Sequence, residues 1–479
     1  MPKKELTGKT AYVVGSGPNG LTAAIMLARA GLPTTVLEAE PIIGGGARSA
    51  ELTLPGFTHD ICSAVHPLAV SSPAFQLFPL AKHGLEWIHP PAPLAHPLDN
   101  GSCVLTDRSV EITARRLGAD EQAYRGKMGP FVARWKDLIG EILAPPHLPR
   151  YPFLMARFGM VAPWPAASTA RRLFRTEEAR ALFAGMAGHS SLAFEKPGSA
   201  AFGWMLTLSC HAAGWPIPRG GSQRIANALA SYFESLGGRI VTGTRVTSID
   251  ELTDARMILC DFSPRQLLNM AGPRLTPRFA RKMERYRYGP GAYKLDWALN
   301  GPIPWTASGC SQTATLHLGG TLDEIAAAER APWKCKTADR PYVLLAQPSL
   351  FDSSRAPAGK HTGWAYCHVP NGCTEDMTER IEAQVERFAP GFRARIIGRS
   401  VTTPADMERH NANLIGGDIN GGAQDLAQMI LRPTRSLYRT SLRGLYFCSS
   451  STPPGGGVHG MCGYHAARVA LKDAGIPVR

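Results

Sequence analysis

Nowhere in the 479 residues does an apolar run approach the roughly 18 residues that a membrane-spanning helix needs, so the chain carries no integral membrane segment of that kind. The ten cysteines are scattered singly, and no two form a C-x-x-C pair. They read as reduced, intracellular thiols used mainly for packing, which argues against a redox disulfide of the reductase type. A formal net charge of +14 invites an anionic partner, yet the sequence lacks any basic run interleaved with aromatics. A nucleic-acid groove is therefore not expected; the dispersed, arginine-rich charge reads first as a solvated basic surface, with weak attraction to anionic membrane as the alternative. Met1-Pro2-Lys3-Lys4 leads through polar residues directly into a strand, which leaves no room for a signal peptide. The expectation is a cytoplasmic protein with peripheral contact to a membrane. No nucleophile–base triad and no metal-ligand cluster stands out. What remains is 44% apolar residues, 49 glycines and 39 prolines, a composition for a loop-rich enzyme of two interleaved domains.

The chain's first chemical signal is near its start. Thr10-Ala11-Tyr12-Val13-Val14 is a short apolar strand that runs into Gly15-Ser16-Gly17-Pro18-Asn19-Gly20. Leu21, Ala24, Ile25 and Ala28 then recur at helical spacing. The helix stops near Gly31, and Thr34-Thr35-Val36-Leu37 forms a second strand that ends at Glu38-Ala39. Each part has a physical task. Gly15 permits the tight turn, Gly17 lets the backbone approach a pyrophosphate, and Gly20 lets the helix lie close to the strand. Free N–H groups at the helix N-terminus, around Pro18 and Asn19, favour phosphate. Glu38, 18 residues beyond Gly20, is placed to accept hydrogen bonds from ribose hydroxyls. No second complete fingerprint of this kind occurs, so a stable NAD(P) site is not supported.

Gly44-Gly45-Gly46-Ala47-Arg48 follows within ten residues of Glu38. It resembles the GG-x-x-[RS] extension of glutathione-reductase-type flavoproteins, in which backbone amides and the arginine meet FAD. At the other end, the strand Gly444-Leu445-Tyr446-Phe447-Cys448 enters a glycine loop from Ser449 to Met461, and Ala466, Ala467, Val469 and Ala470 begin a small-residue helix. The loop is similar to the carotenoid desaturase pattern G-A-G-T-H-P-G-G-G-x-P-G. Ser449, Ser450 and Ser451 replace Gly, Ala and Gly, Pro453 replaces His, and His459 replaces Pro. In the middle, Pro218-Arg219-Gly220-Gly221 precedes a helix and two stretches of strand type, Arg239-Ile240 and 244–249. With these three blocks the chain resembles the phytoene desaturase-related flavoproteins, which span carotenoid desaturases and isomerases, retinol saturase and pyridine nucleotide-disulphide oxidoreductase domain-containing proteins. The resemblance implies FAD contacts at Gly45, Gly46, Ala47 and Arg48, at Val246 through its backbone, and at Ser450, Ser451, Pro454, Gly457, Val458, Gly460 and Met461. Amine oxidases usually carry an acid at the position of Ser450, and its absence tilts the reading toward desaturases.

The implied fold is α/β: a glutathione-reductase-type Rossmann FAD domain, made of roughly 1–75, 216–270 and 430–479, with an inserted α+β substrate domain of 76–215 and 271–429 built on a mixed sheet. Residues 294–299, 342–346 and 362–367 alternate or run as strands within it. A flavin accepts or returns hydride at N5, so the chemistry needs little beyond an apolar tunnel and one acid or base. The expected activity is a dehydrogenase, saturase or isomerase acting on an apolar, unsaturated small molecule, with oxygen or a quinone as electron acceptor. An amine oxidase-like enzyme and a non-catalytic FAD-binding regulatory protein are the rival readings. His459 and His211 lead as proton-handling candidates near the flavin, with His189 behind them. Lys294 resembles the strand lysine that amine oxidases hold beside N5 through a water, but its surroundings do not match and it reads as a surface lysine. The stretch 152–164, flanked by Arg150, Arg157, Arg171, Arg172 and Arg175, reads as an apolar entrance that dips into a membrane interface or lines a lipid tunnel, or else as a helical cap on the substrate domain.

Overall fold

A computed structural model describes residues 6 and 8–477; the expectation resting on Met1–Lys4 lies outside them. A five-stranded sheet runs in the order Leu445–Phe447, Ala255–Cys260, Thr10–Val14, Thr34–Leu37, Arg239–Val241, and its pairings are parallel. Its strands come from three distant stretches of chain, as a doubly wound fold requires. The helix Pro18–Arg29 is buried along most of its length, with Leu21, Ala24, Ile25 and Leu27 at 0% exposure. It can lie that deep because glycines meet it. A Cβ on Gly463, in the last helix Met461–Asp473, would stand 1.8 Å from the carbonyl oxygen of Asn19.

A second, seven-stranded sheet is mixed, in the order Ile396–Thr402, Gly291–Leu299, His361–Val369, Val343–Ala346, Thr315–Leu318, Ala95–Pro97, Cys103–Leu105. Alternation sorts its side chains between two faces. Leu295, Trp297, Leu316, Val343, Leu345, Ala365 and Cys367 pack outward against Ile381, Val385 and Phe388 of the helix Thr378–Phe388. The opposite face carries Ala292, Lys294, Thr315, Leu344, Ala346, Trp364 and Tyr366, and these line a cavity.

Residues 294–299 and 362–367 fall on strands, as their patterns predict, and 342–346 does so from Val343 onward. The stretch 244–249 does not. Arg239–Val241 is the edge of the parallel sheet, and the chain then turns back, with Gly243 and Thr244 donating to the carbonyls of Glu40 and Glu38. Residues 244–248 run extended along the cavity rim without a ladder.

Gly463→Ala forces the first and last helices apart where neither backbone can yield. Overpacking of this kind costs about 1–3 kcal/mol. A lowered melting temperature with reduced flavin content in the purified variant is the expected outcome.

Candidate functional site: a dinucleotide cradle opening into an apolar cavity

A cavity of about 600 Å³ lies between the C-terminal ends of the parallel strands and the inner face of the mixed sheet. Open α/β sheets bind ligands at this end. The turn after Thr10–Val14 forms its floor. Gly15 has φ +103°, and a Cβ on Gly17 would stand 2.6 Å from Asp261 Oδ2. Gly17 caps the first helix without a side-chain partner of its own, so the start of the helix faces the cavity as backbone. Gly45 packs against this turn, where its Cβ would be 3.1 Å from the Gly17 Cα. The Glu38 carboxylate closes the corner by accepting from the Ser16 amide at 2.9 Å and from its hydroxyl at 2.5 Å. Arg48 is 6% exposed and donates to the carbonyls of Gly45 (3.0 Å) and His410 (2.8 Å), tying the glycine segment to the chain opposite.

Of the residues expected to meet the cofactor, Gly15, Gly17, Pro18, Asn19, Glu38, Ala39, Gly45, Gly46, Arg48, Val246, Ser450, Ser451, Gly457 and Val458 stand on the cavity wall. Gly20, Ala47, Pro454, Gly460 and Met461 do not. Gly20 works behind the wall, for its Cβ would meet the Gly15 carbonyl at 2.1 Å. Gly460, at φ +68°, would bring a Cβ to within 2.3 Å of Thr22 Oγ1, so it too serves helix packing. The wall fits a dinucleotide. It joins a helix start that its N-cap side chain leaves open, glycine backbone with no room for a Cβ, and the buried Asn19 Oδ1, which has no protein partner.

Asp261 was not anticipated. It follows the strand Ala255–Cys260, lies beneath the glycine turn, and accepts from the Gly20 amide at 2.9 Å. Burial pushes its carboxyl up to about 7; the Gly20 bond opposes the shift and the nearby Glu38 adds to it. The sequence signal was the acid directly after an apolar strand, equivalent in place to Gly15 on the neighbouring strand.

Beyond the cradle the wall turns apolar: Phe202, Met205 and Leu206 from the helix Ser199–Ala212, then Trp215, Leu344, Ala346, Trp364, Tyr366 and Leu414. Few polar groups interrupt it, among them His189, Lys294, Thr315, Asn420 and Gln424. Lys294 is no surface lysine. At 1% exposure it sits on the inner face of its strand, ion-paired with Asp296 and 5.9 Å from the centre of the Trp364 ring. Strand alternation, visible in the sequence, did not say which face was covered.

The histidines sort differently from expectation. His189 reaches the wall, its Nε2 2.9 Å from that of His317, and burial pushes it down to about 3, so it is neutral. His211 does not line the cavity. It falls nine residues after Phe202, which puts it on the opposite side of their helix. There it bonds the Tyr124 hydroxyl at 2.7 Å and the Asp107 carbonyl at 2.8 Å. His459 is fully buried behind the loop, its Nδ1 accepting from the Met461 amide at 3.0 Å. The residues 152–164 contribute nothing to the wall.

Asn420 is held from behind by a buried chain. Its Nδ2 donates to Ser191 Oγ at 3.0 Å, Ser191 Oγ lies 3.0 Å from His368 Nε2, and His368 Nδ1 lies 2.9 Å from Glu329 Oε2. The Glu329 carboxylate accepts from His368 Nδ1, and the other ring nitrogen stands against the serine. The serine oxygen then accepts from Asn420, which leaves the Asn420 carbonyl outside the chain. The order resembles a catalytic triad, but the serine is committed on both sides and does not line the cavity. Ser191 also holds φ +52°, with its carbonyl bonded by Trp333 Nε1 at 2.9 Å.

Two outcomes are expected. The folded-state pKa of Asp261 lies above its unfolded 3.8, so its stabilising contribution is full at low pH and is lost from about pH 4 to about pH 7. Asp261→Asn therefore flattens the fall in urea midpoint over that window in the flavin-free protein. Ser191→Ala strands the buried His368 imidazole and frees the half-buried Asn420 amide, at a cost of about 1–3 kcal/mol. Ser191→Gly loses the same bonds but relieves the left-handed backbone, so it melts above Ser191→Ala.

The model of the family described as "FAD dependent oxidoreductase" matches residues 11–421. Pyridine nucleotide-disulfide oxidoreductase domain-containing protein 2 of Rattus norvegicus is 26% identical, over 97% of this chain and 93% of its own. Phytoene dehydrogenase of Streptomyces griseus is 27% identical over 82% of each chain. A solved structure of a putrescine oxidase variant superposes with a TM-score of 0.62 at 16% identity, covering 98% of this chain and 99% of that one, a likeness of fold alone. The cofactor is FAD. With a matching model over most of its length and a cradle built to its needs, the chain belongs to the FAD dependent oxidoreductase family.

Proposed function

We propose that this protein moves hydride between FAD and an apolar, unsaturated small molecule, as a dehydrogenase, saturase or isomerase of phytoene desaturase-like type. The observation that carries the reading is the wall beyond the cradle: a continuous apolar surface from Phe202, Met205 and Leu206 across to Leu344, Trp364 and Tyr366, with few polar interruptions. Such a wall orients a hydrocarbon by shape and excludes water from it.

In this reading the glycine turn and helix N-terminus hold the pyrophosphate, Glu38 the ribose, and Val246 the adenine. Gly45, Gly46 and Arg48 flank the cofactor, and Ser450, Ser451, Gly457 and Val458 meet its ribityl and flavin end. Bound there, FAD supplies a hydride acceptor or donor at N5. His189, neutral and on the wall, offers a fixed hydrogen-bonding group, while Lys294 with Asp296 provides a buried charge pair. In the dehydrogenase direction oxygen or a quinone takes the electrons; a saturase draws them from a reductant that loads the flavin first, and an isomerase returns them to its substrate.

Amine oxidation is the second reading, favoured by one observation, the burial of Lys294 on the cavity face. A non-catalytic regulatory protein would bind FAD without an addressable substrate space. Holoprotein mixed anaerobically with polyenes, unsaturated lipids and simple amines separates the three. Bleaching of the oxidised flavin band by polyene or lipid, its return when the same compounds meet the photoreduced flavin, or isomerised polyene recovered from the reduced protein is expected. Hydrogen peroxide release with amines in air would move the assignment to the second reading, and a flavin that no compound addresses would move it to the third. Met205→Arg, which puts a charge into the apolar wall, should lower kcat/KM about tenfold or more without loss of bound flavin.

A further inference from the structure

Eleven large apolar side chains stand exposed among the described residues, and five of them fall within 148–164. Leu148 and Phe153 are 93% and 92% exposed, which is nearly complete, with Met160 at 67%, Trp164 at 54% and Tyr151 at 38%. The short helix Pro152–Gly159 turns Leu154 and Phe158 into the core and leaves Phe153 outside. A soluble surface rarely keeps such a concentration of apolar groups uncovered. The charge carried by the stretch itself is basic; acids reach it only from neighbouring segments, among them Asp323, paired with Arg171, and Asp137, against Arg134 and Tyr151. Residues 142–176 hold five arginines, Arg150, Arg157, Arg171, Arg172 and Arg175, all exposed, and no Asp or Glu.

The patch adjoins the cavity. The Gly198 and Ala200 amides donate to the carbonyls of Pro163 and Trp164 at the start of the helix Ser199–Ala212. Phe202, two residues on from Ala200, already lines the cavity. From the other side Leu426 packs against Gly198, and Gln424, two residues before it, lines the cavity as well. Just beyond Leu426, Ile430 and Leu431 are exposed at 55% and 43%. Two apolar projections thus flank one end of a cavity-lining helix.

We propose that this face docks on an anionic phospholipid bilayer: Leu148, Phe153, Met160 and Trp164 enter the interface, and the arginines meet the headgroup phosphates. Among the described residues no helix is long and apolar enough to cross a membrane, so the contact is with one surface. Apolar side chains supply insertion and the arginines supply the preference for anionic lipid. Taken with the function proposed above, on which this one clause rests, the surface would deliver a lipid-dissolved substrate to the helix that walls the cavity.

The test uses flavin-loaded protein, phosphatidylcholine vesicles, and the same vesicles containing phosphatidylglycerol. Trp164 is the one exposed tryptophan of nine, so the part of the emission change that Trp164→Phe abolishes reports insertion. Co-sedimentation with the anionic vesicles is expected, with a blue-shifted emission quenched by brominated acyl chains. Leu148→Ser/Phe153→Ser should weaken partitioning about tenfold or more. Arg150→Gln/Arg172→Gln should remove most of the preference for phosphatidylglycerol, as should high salt. An unchanged flavin spectrum shows that the variants fold. No binding to either vesicle, or binding indifferent to the apolar double variant, overturns the proposal. So does a concentration-dependent dimer that Leu148→Ser/Phe153→Ser dissociates, since the face would then belong to a second copy. None of these readings uses turnover, so a failed substrate screen leaves the docking result standing.

Discussion

Everything in this protein is arranged around one close approach of backbone to backbone. The first helix must aim its N-terminus at a phosphate while its flank touches the turn before it, a neighbouring strand end and the last helix. Side chains cannot be accommodated there: a Cβ would lie 2.1 Å from a carbonyl oxygen at Gly20 and 1.8 Å from one at Gly463. Two glycines 443 positions apart in sequence therefore serve one junction. Asp261 completes it from below by accepting the Gly20 amide, which would otherwise be a buried, unpaired donor. Its raised pKa comes from burial beneath that turn, which outweighs the Gly20 bond that favours the carboxylate.

A second constraint joins the cradle to the cavity. Asp60 and Arg355, both fully buried, pair at 2.6 Å. The same carboxylate accepts from the Ser222 amide and the Ser49 hydroxyl, each at 2.7 Å. Segments that bound the cofactor cradle are thus pinned to a loop of the mixed-sheet half through one ion. Burying such a pair gains little stability over an apolar substitute, but losing either partner leaves a charge stranded. The neighbouring His59 stays neutral, pushed down to about 3 by burial, and its ring lies 3.5 Å from the Asp296 carboxylate that also neutralises Lys294. Charge is admitted beside the apolar cavity only where a partner already stands.

The apolar cavity itself follows from a two-residue period. One face of the strand Gly291–Leu299 holds Leu295 and Trp297 for the outer core, and the other holds Ala292 and Lys294 for the cavity. The strands beside it repeat the division. A wall that is continuous in space is therefore assembled from every second residue of strands far apart in the chain, which is why no single apolar run marks it.

The sequence by itself determined the local chemistry of the cradle. Glycine spacing, the helix after it and the acid at the next strand's end are short-range features whose conformation depends on neighbours in the chain, and the structure sets fourteen of the expected contact residues on one wall. Tertiary structure alone decided what lay between the motifs. It chose which face of a strand was covered, and so turned Lys294 inward; it chose which side of a helix met the cavity, and so set Phe202 there and His211 away from it. It brought Asn420, Ser191, His368 and Glu329 into one chain across 229 residues of sequence, and it left Phe153 and Trp164 uncovered. A pattern of apolar and polar residues fixes a periodicity, but the side that is buried depends on what other segments cover it, and that information is not local.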